Sequence, residues 1–129
     1  MIMFMKTVVF GAMLASAAAA HAHHSFAMFD NSKEQTIEGE VKEFQWTNPH
    51  IWIQVNVKSA DGNLVEYSIE GGSPNGLRRL GWTRTSLKPG DKIVLTMHPM
   101  KDGSPGGSFV SASVNGEPLK APGASAPGN

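Results

Sequence analysis

The feature that most constrains the fold is a strict alternation of apolar and polar residues over Ile51 to Lys58. Every second residue there is Ile or Val, whereas the residues between them are Trp, Gln, Asn and Lys. A period of two residues is the pattern of a β-strand with one buried face. The pair Asp61-Gly62 is typical of a tight hairpin turn, and the alternation resumes over Leu64 to Glu70. The sequence therefore predicts an antiparallel β-hairpin.

Three further segments have strand character. Over Gln35 to Trp46 the apolar residues change parity near Lys42-Glu43, which predicts a β-bulge. Gly39 inside this segment predicts a sharp bend. The segments Asp91 to His98 and Ser108 to Val114 bring the number of predicted strands to five.

The segment between the third and fourth strands predicts one short helix. Ser73-Pro74 resembles an N-cap followed by Pro at the first helical position, so we expect a helix over Asn75 to Leu80. Three strands, a helix and two strands, with a long coiled first strand, are typical of a small five-stranded Greek-key barrel of the OB type. We therefore predict an all-β, OB-like barrel. An open β-sandwich of similar size is the alternative.

The two ends of the chain differ in composition from the middle. Residues 1–22 combine one positive charge, the apolar stretch TVVFGAMLASAAAA and a small-x-small site, which is the pattern of a secretory signal peptide. The alternative is an N-terminal membrane anchor, although a span needs about 20 apolar residues. Cleavage fits after Ala20 or after Ala22, and we expect a periplasmic protein with no stable membrane span after cleavage. Residues 115–129 are rich in Gly, Pro, Ala and Ser and predict a disordered tail, which leaves residues 23–114 for the barrel and an N-terminal arm.

The charge balance and the absence of cysteine argue against several functions. The 129-residue chain has 11 Lys and Arg against 11 Asp and Glu, so its formal net charge is zero. Nucleic-acid-binding proteins usually carry a basic excess, and we therefore predict no nucleic-acid partner. No Cys is present, which excludes disulfides, thiolate metal sites and a Cys nucleophile. Motifs such as Gly-x-Ser-x-Gly and His-Glu-x-x-His are also absent, and we do not expect an enzyme.

Three segments resemble a known family. They are AHHSFAMFD at 22–30, FQWTNPHIWI at 44–53 and LKPGDKI at 87–93. Together they are similar to a family of small exported bacterial proteins of unknown function. The resemblance extends over nearly all of the predicted mature domain and implies an exported single-domain protein of about this size. It implies no activity and no site residues.

The histidines suggest a metal site. Because the chain lacks Cys, a transition-metal site must use imidazole, thioether, carboxylate or N-terminal amine ligands. Cleavage after Ala22 would give His23 a free amine beside its ring, a chelate that suits Cu(II), and Met97 and Met100 flank His98-Pro99 with thioethers. The alternative is a solvated chain start with incidental metal affinity and with Met97 in the core. The predicted ligands, for copper or a related metal, are His23, His24, His50 and His98.

A second prediction concerns the aromatic residues around the Asn-Pro turn. Asn48-Pro49 is expected to form a turn, and His50 and Trp52 then share one parity, opposite Ile51. Aromatic rings beside a histidine and amide side chains form a surface suited to a planar or sugar-like small ligand, or to a periplasmic protein partner. The alternative is that the N-terminal arm packs over these rings. The predicted ligand-binding residues are Trp46, Asn48, His50 and Trp52.

Overall fold

Within residues 27–121, the fold is formed by six strands and by one helix between the third and fourth strands. We describe a computed structural model of the protein, which covers residues 27–121. The strands occur in antiparallel pairs, apart from one parallel contact described below. In chain order the elements are β1 (Gln35–Gln45), β2 (Trp52–Lys58), β3 (Leu64–Glu70), α1 (Pro74–Arg79), β4 (Lys92–Pro99), β5 (Gly106–Val114) and β6 (Glu117–Pro118).

The sheet closes into a barrel. Its strand order is β3-β2-β1-β4-β5-β6, and β3 also pairs with β5. This last pairing is parallel, from Ser68 opposite Gly106 to Glu70 opposite Ser108. Because β1 pairs with both β2 and β4, five strands complete the ring and β6 lies beside β5. The predicted OB-like barrel is confirmed, and the closure by β3 and β5 rules out the open sandwich.

The first strand has the irregularity that its sequence predicts. The register between β1 and β2 shifts between Val41 and Glu43, which places a bulge where the apolar residues change parity. Gly39 pairs with Ile93 of β4, and the next residue, Glu40, pairs with both Lys92 and Asn56 of β2. The strand therefore passes from one partner to the other at Gly39, the position at which the sequence predicts a bend.

The core consists of the inward residues of the strands and of side chains from the helix and the following loop. Ile53, Ile69, Leu95 and Met97 have no exposed surface. Trp82 follows the helix, and its ring packs edge-on against Phe109 at 5.5 Å between centroids. The remaining core residues include Ile37, Val41, Trp46, Ile51, Val55, Leu77, Leu87, Ile93, Ala112 and Val114.

The helix begins as its sequence predicts. The Ser73 side chain accepts a hydrogen bond from the Gly76 amide at 3.1 Å, and Pro74 occupies the first turn. Leu77 is 3% exposed and attaches the helix to the core. The structure ends the helix at Arg79, one residue before the predicted end, with Leu80 as its C-cap.

The segments that flank the barrel pack against it. Phe29 is buried and bridges Met100 just after β4, so the described part of the arm lies at the end of β4. The predicted tail begins with ordered structure, since β6 pairs with β5 and Ala121 is buried. The predicted signal peptide lies outside the described residues. Within residues 27–121, every helix is too short or too polar to cross a membrane.

Candidate functional site

The loop between β1 and β2, residues 46–51, is held in place by hydrogen bonds to its backbone. Its Asn48–Pro49 peptide bond is cis. The Ile51 amide donates to the Gly72 carbonyl at 3.0 Å, and the Gly71 amide donates to the Ile51 carbonyl at 2.9 Å. Thr47 Oγ1 donates to the His50 carbonyl at 2.8 Å. These bonds attach the loop to the end of β3 and fix the position of His50.

The imidazole of His50 has a defined orientation. Its Nδ1 lies 3.0 Å from the Gly71 carbonyl, and because a carbonyl oxygen can only accept, Nδ1 carries the proton and donates. Its Nε2 lies 3.5 Å from Oε1 of Glu70. The His50 side chain is 32% exposed, whereas the Glu70 side chain is 10% exposed. The result is a nitrogen and a carboxylate oxygen that face each other near the surface.

Glu70 also belongs to a row of neighbouring residues on the outer face, which the pairing of β3 with β5 makes continuous. Trp52 lies opposite Glu70, Glu70 lies opposite Ser108, and Ser108 lies opposite His98. These positions alternate with the buried residues Ile53, Ile69 and Met97, and therefore face outward. We call Trp52, Glu70, Ser108 and His98 the outer row. His50 is not a member of the outer row, but its ring contacts the row at Glu70.

His98 is oriented in the same manner as His50. Its Nδ1 donates to the Lys33 carbonyl at 2.8 Å, which leaves Nε2 without the proton in the neutral ring. Along the sheet His98 is two strand spacings from Glu70, about 10 Å. Within residues 27–121, no three His, Asp or Glu side chains are grouped closely enough to hold a metal ion.

The other predicted metal ligands have different surroundings. His23 and His24 lie outside the described residues. Met97 is fully buried, as expected for core packing, and Met100 bridges Phe29. The described end of the N-terminal arm lies at the end of β4, beside His98. Packing of the arm over His50 and Trp52, the alternative given above, involves residues that lie partly outside the described part of the chain.

The four predicted ligand-binding residues do not all share one surface. His50 and Trp52 lie at the end of the outer row, and Asn48 is exposed in the adjoining loop. Trp46 is only 8% exposed and packs edge-on against Phe44 at 5.8 Å. The Arg78 guanidinium covers its ring at 5.7 Å. Trp46 is therefore part of the core and separate from the surface formed by His50 and Trp52.

Two charged groups on the outer surface of the barrel have defined hydrogen-bond partners. Lys42 and Glu66 form an ion pair at 2.6 Å, and the hydrogen bond to Glu66 raises the pKa of Lys42. In the loop between β4 and β5, residues 100–105, the Ser104 hydroxyl and amide both donate to the Asp102 carboxylate. These hydrogen bonds hold the pKa of Asp102 below its usual value. The carboxylate of Asp102 is therefore anionic at neutral pH.

A separate groove of about 690 Å³ lies at the opposite end of β2 and β3. Leu64 and Val94 line its apolar part. Lys92 and Glu40, which also line the groove, form an ion pair at 2.7 Å. Its lining contains neither an imidazole nor an aromatic ring, and it shares no residue with the outer row.

Glu70 is the site residue that the sequence analysis missed. A signal for it was available, since the hairpin turn at Asp61-Gly62 sets Lys58 opposite Leu64 and hence Trp52 opposite Glu70. Strand register does not predict the contact between His50 and Glu70, because that contact depends on the conformation of the loop before β2. Its bond to Gly71 is likewise a contact between distant parts of the chain.

Comparisons with known proteins give a family and a fold. The model of a family described as "Family of unknown function (DUF6152)" matches residues 12–109. No curated protein matches the chain. A crystal structure of a mitochondrial single-stranded DNA-binding protein from S. cerevisiae is similar in fold, with a TM-score of 0.50 and 11% sequence identity. The match covers 66% of this chain and 95% of that one. At this identity the likeness shows the fold alone.

One sequence-based prediction is corrected by this comparison. The zero net charge led us to exclude a nucleic-acid partner, and that exclusion is wrong, because the barrel is similar in fold to a single-stranded DNA-binding protein. Net charge averages over the whole chain, whereas binding depends on the local charge and shape of one face. The charge of this chain therefore does not decide whether it binds nucleic acid.

Proposed function

We propose that this chain, which belongs to the DUF6152 family of unknown function, is an exported periplasmic module that binds a transition-metal ion, copper or zinc, through imidazole nitrogen. The export part rests on the signal-peptide pattern of residues 1–22. The metal part rests on one observation. In both described histidines, Nδ1–H donates to a backbone carbonyl, that of Gly71 for His50 and that of Lys33 for His98.

This orientation is the one that metal-binding histidines usually have. A ligating imidazole donates its second ring N–H to a carbonyl or carboxylate, which fixes the tautomer and aims the free nitrogen at the metal. His50 and His98 each present Nε2 in this way. His50 is favoured as the primary ligand because its Nε2 also faces a carboxylate. Since the chain has no Cys, the nitrogen and oxygen donors favour copper or zinc over metals that require thiolate.

Titration calorimetry of the secreted chain with Zn(II) and Cu(II) tests this function. We expect binding tighter than micromolar, and a loss of affinity of about tenfold or more in a His50→Ala variant. Two outcomes would contradict it, namely no binding tighter than micromolar, or unchanged binding in a His23→Ala/His50→Ala double variant. The intact mass of the secreted chain fixes its first residue and shows whether His23 bears a free amine.

A second candidate function is the binding of an organic small ligand on the same face. Trp52 is partly exposed on the outer face of β2, with Gln54 as the next outward residue. The outer face of strands 2 and 3 is the surface that OB-type barrels use for oligonucleotides and oligosaccharides. The observation that favours this function is an indole ring at the end of that surface.

Trp52→Ala separates a binding role from a core role for this ring. Because Trp52 lies outside the buried core, we expect its replacement to lower the free energy of unfolding by about 1 kcal/mol or less. Tryptophan fluorescence would be titrated with short oligosaccharides and with a short oligothymidylate, and saturable quenching should disappear in the variant. A loss of stability comparable to that of a core tryptophan would show instead that Trp52 supports the fold.

A further inference from the structure

We propose that the segment between β3 and β4 binds the phosphate backbone of a single-stranded nucleic acid. The segment, residues 74–90, comprises α1 and the loop that follows it, and we call it the basic segment. It contains Arg78, Arg79, Arg84 and Lys88 and no Asp or Glu. The inference goes beyond the metal function, and only the placement of a base at Trp52, described below, rests on the second candidate function.

The charge of the chain is unevenly distributed along the sequence. Its 11 Lys and Arg balance its 11 Asp and Glu, but four of the cations and none of the acids lie in the basic segment. All three Arg of the chain are among these four, whereas the Lys residues are spread from Lys6 to Lys120. Salt screens exposed charges beyond about 8 Å at physiological ionic strength. A ligand at this segment therefore responds to four local positive charges and not to the net charge of zero.

The core holds the backbone of the basic segment in place and leaves its cations outside. Leu77, Trp82 and Leu87 are each at most 3% exposed and belong to the core cluster. All four cations between and beside these anchors are exposed. The segment therefore presents its charges from an ordered backbone, which lowers the conformational entropy lost when a ligand binds.

The four cations have no carboxylate partner among residues 27–121. The ion pairs within this range use other cationic groups, namely Lys33, Lys42, His50 and Lys92. Arg78 donates to the side-chain oxygen of Asn75 at 3.2 Å. Asp91, the acid that follows the segment, accepts hydrogen bonds from the Lys88 amide and from the Asn115 side chain. The positive charges are thus open to an anionic ligand.

The residue types on this surface are those that contact phosphate groups. The guanidinium of Arg is a planar fork of N–H donors that matches two phosphate oxygens. Hydroxyl and amide side chains supply further contacts to a nucleic-acid backbone, and Asn75, Thr83 and Thr85 are exposed beside the cations. Because the charges are spread over the segment, they complement a chain with one negative charge per residue.

The same surface is less suited to a membrane or to an acidic protein. Amphipathic segments that bind membranes insert large apolar side chains beside their cations, and the centres of protein interfaces are enriched in aromatic residues. In the basic segment the large apolar side chains Leu77, Trp82 and Leu87 are buried, and Leu80 is partly buried. The exposed surface is therefore cationic and polar.

A stacking surface for a base lies next to the basic segment. Trp52 is partly exposed and lies opposite Glu70, and α1 begins four residues after Glu70, within about 14 Å of extended chain. Aromatic rings beside a basic surface are the usual means of holding single strands. The Glu70 carboxylate repels phosphate, so we expect the phosphates at the basic segment and a base at Trp52.

The test is fluorescence anisotropy of a labelled oligothymidylate of about twelve nucleotides, titrated with the secreted chain between about 20 and 200 mM salt. We expect Arg79→Gln/Arg84→Gln to weaken binding by about tenfold or more at low salt. The slope of log affinity against log salt concentration should fall by about 1.4, since each lost phosphate contact contributes about 0.7 for a single strand. Arg78 stays unaltered because its guanidinium packs over Trp46.

Lys58→Gln/Lys101→Gln is the matched control for the arginine substitutions. It removes the same number of charges from exposed positions outside the basic segment, and we expect it to change the affinity by less than about threefold. Thermal unfolding checks the folding of each variant, and Arg84→Gln/Lys88→Gln replaces the first pair if that pair does not fold. The unlabelled competitors are a polyuronate, which is an acidic polysaccharide, and vesicles of anionic phosphatidylglycerol.

The possible outcomes separate this inference from the proposed functions. Weaker binding and a smaller salt slope in the arginine variant but not in the control support it. Absence of oligothymidylate binding, equal effects of the two pairs of substitutions, or stronger binding of either competitor at equal charge concentration overturns it. None of these results bears on Zn(II) or Cu(II) binding by the unaltered chain. Unchanged oligothymidylate affinity in Trp52→Ala would count against the second candidate function and leave the phosphate contacts of the basic segment supported.

Discussion

Replacing Trp82 with alanine is expected to lower the free energy of unfolding by about 3–5 kcal/mol. The residue is 3% exposed, and its ring contacts Phe109 and Phe44, with centroids at 5.5 and 6.3 Å. Its Nε1–H also donates to the Lys120 carbonyl at 2.6 Å. The substitution therefore removes a large buried ring and an anchor of the C-terminal segment. Urea denaturation followed by circular dichroism measures the loss.

Two further variants serve as controls for Trp82→Ala. Trp82→Phe keeps much of the ring packing but removes the donor to Lys120, and we expect it to cost about 1–3 kcal/mol. Trp52→Ala removes the same type of residue from the outer face and is expected to cost about 1 kcal/mol or less. Similar losses for Trp82→Ala and Trp52→Ala would contradict the placement of Trp82 in the core and of Trp52 outside it.

The strands were predictable because their signal is local. Alternation with a period of two places Ile53 and Ile69 on one face, and it needs no knowledge of the rest of the fold. The predicted bounds of the strands agree with the structure within about two residues. The bulge at Lys42-Glu43 was also visible, because a change of parity can be recognised within one segment.

The core positions of Trp46 and Trp82 were not predictable in the same manner. Trp82 follows the helix between Arg79 and Arg84, where the sequence has no apolar period, and its partners are distant in the chain. The order of residues 117–121 also depends on tertiary contacts, with β5 and with Trp82. A composition rich in Gly, Pro and Ala predicts disorder on average but does not include such contacts.

The candidate site was predictable in part. The parity of the second strand placed Trp52 on the outer face, and the Asn-Pro turn placed His50 beside it. The bond from His50 to Gly71 and the contact with Glu70 join residues about twenty positions apart through loop conformation, for which the sequence has no local signal. The metal prediction at His23 and His24 stays a prediction, because these residues lie outside the described part of the chain.

Replacing Gly39 with alanine is the second large effect that we expect, a loss of about 3 kcal/mol in the free energy of unfolding. A Cβ at this position would overlap the backbone carbonyl oxygen of Asn56 and would lie 3.1 Å from Cγ1 of Val55. The carbonyl belongs to β2, which is paired with β1 and β3, so it cannot move aside without disturbing two ladders. The cost arises at the point where β1 passes from β4 to β2.

Gly72→Ala is the matched control for this substitution. A Cβ at Gly72 would meet only Leu77, at ordinary contact distances of 3.8 and 3.9 Å. Alanine there also reduces the entropy of the unfolded chain, and we expect no loss of stability or a gain of up to about 1 kcal/mol. Urea denaturation compares the two variants under the same conditions. A Gly39→Ala protein as stable as the unaltered chain would mean that β1 does not approach Asn56 this closely, and the point at which β1 passes from β4 to β2 would then be misplaced.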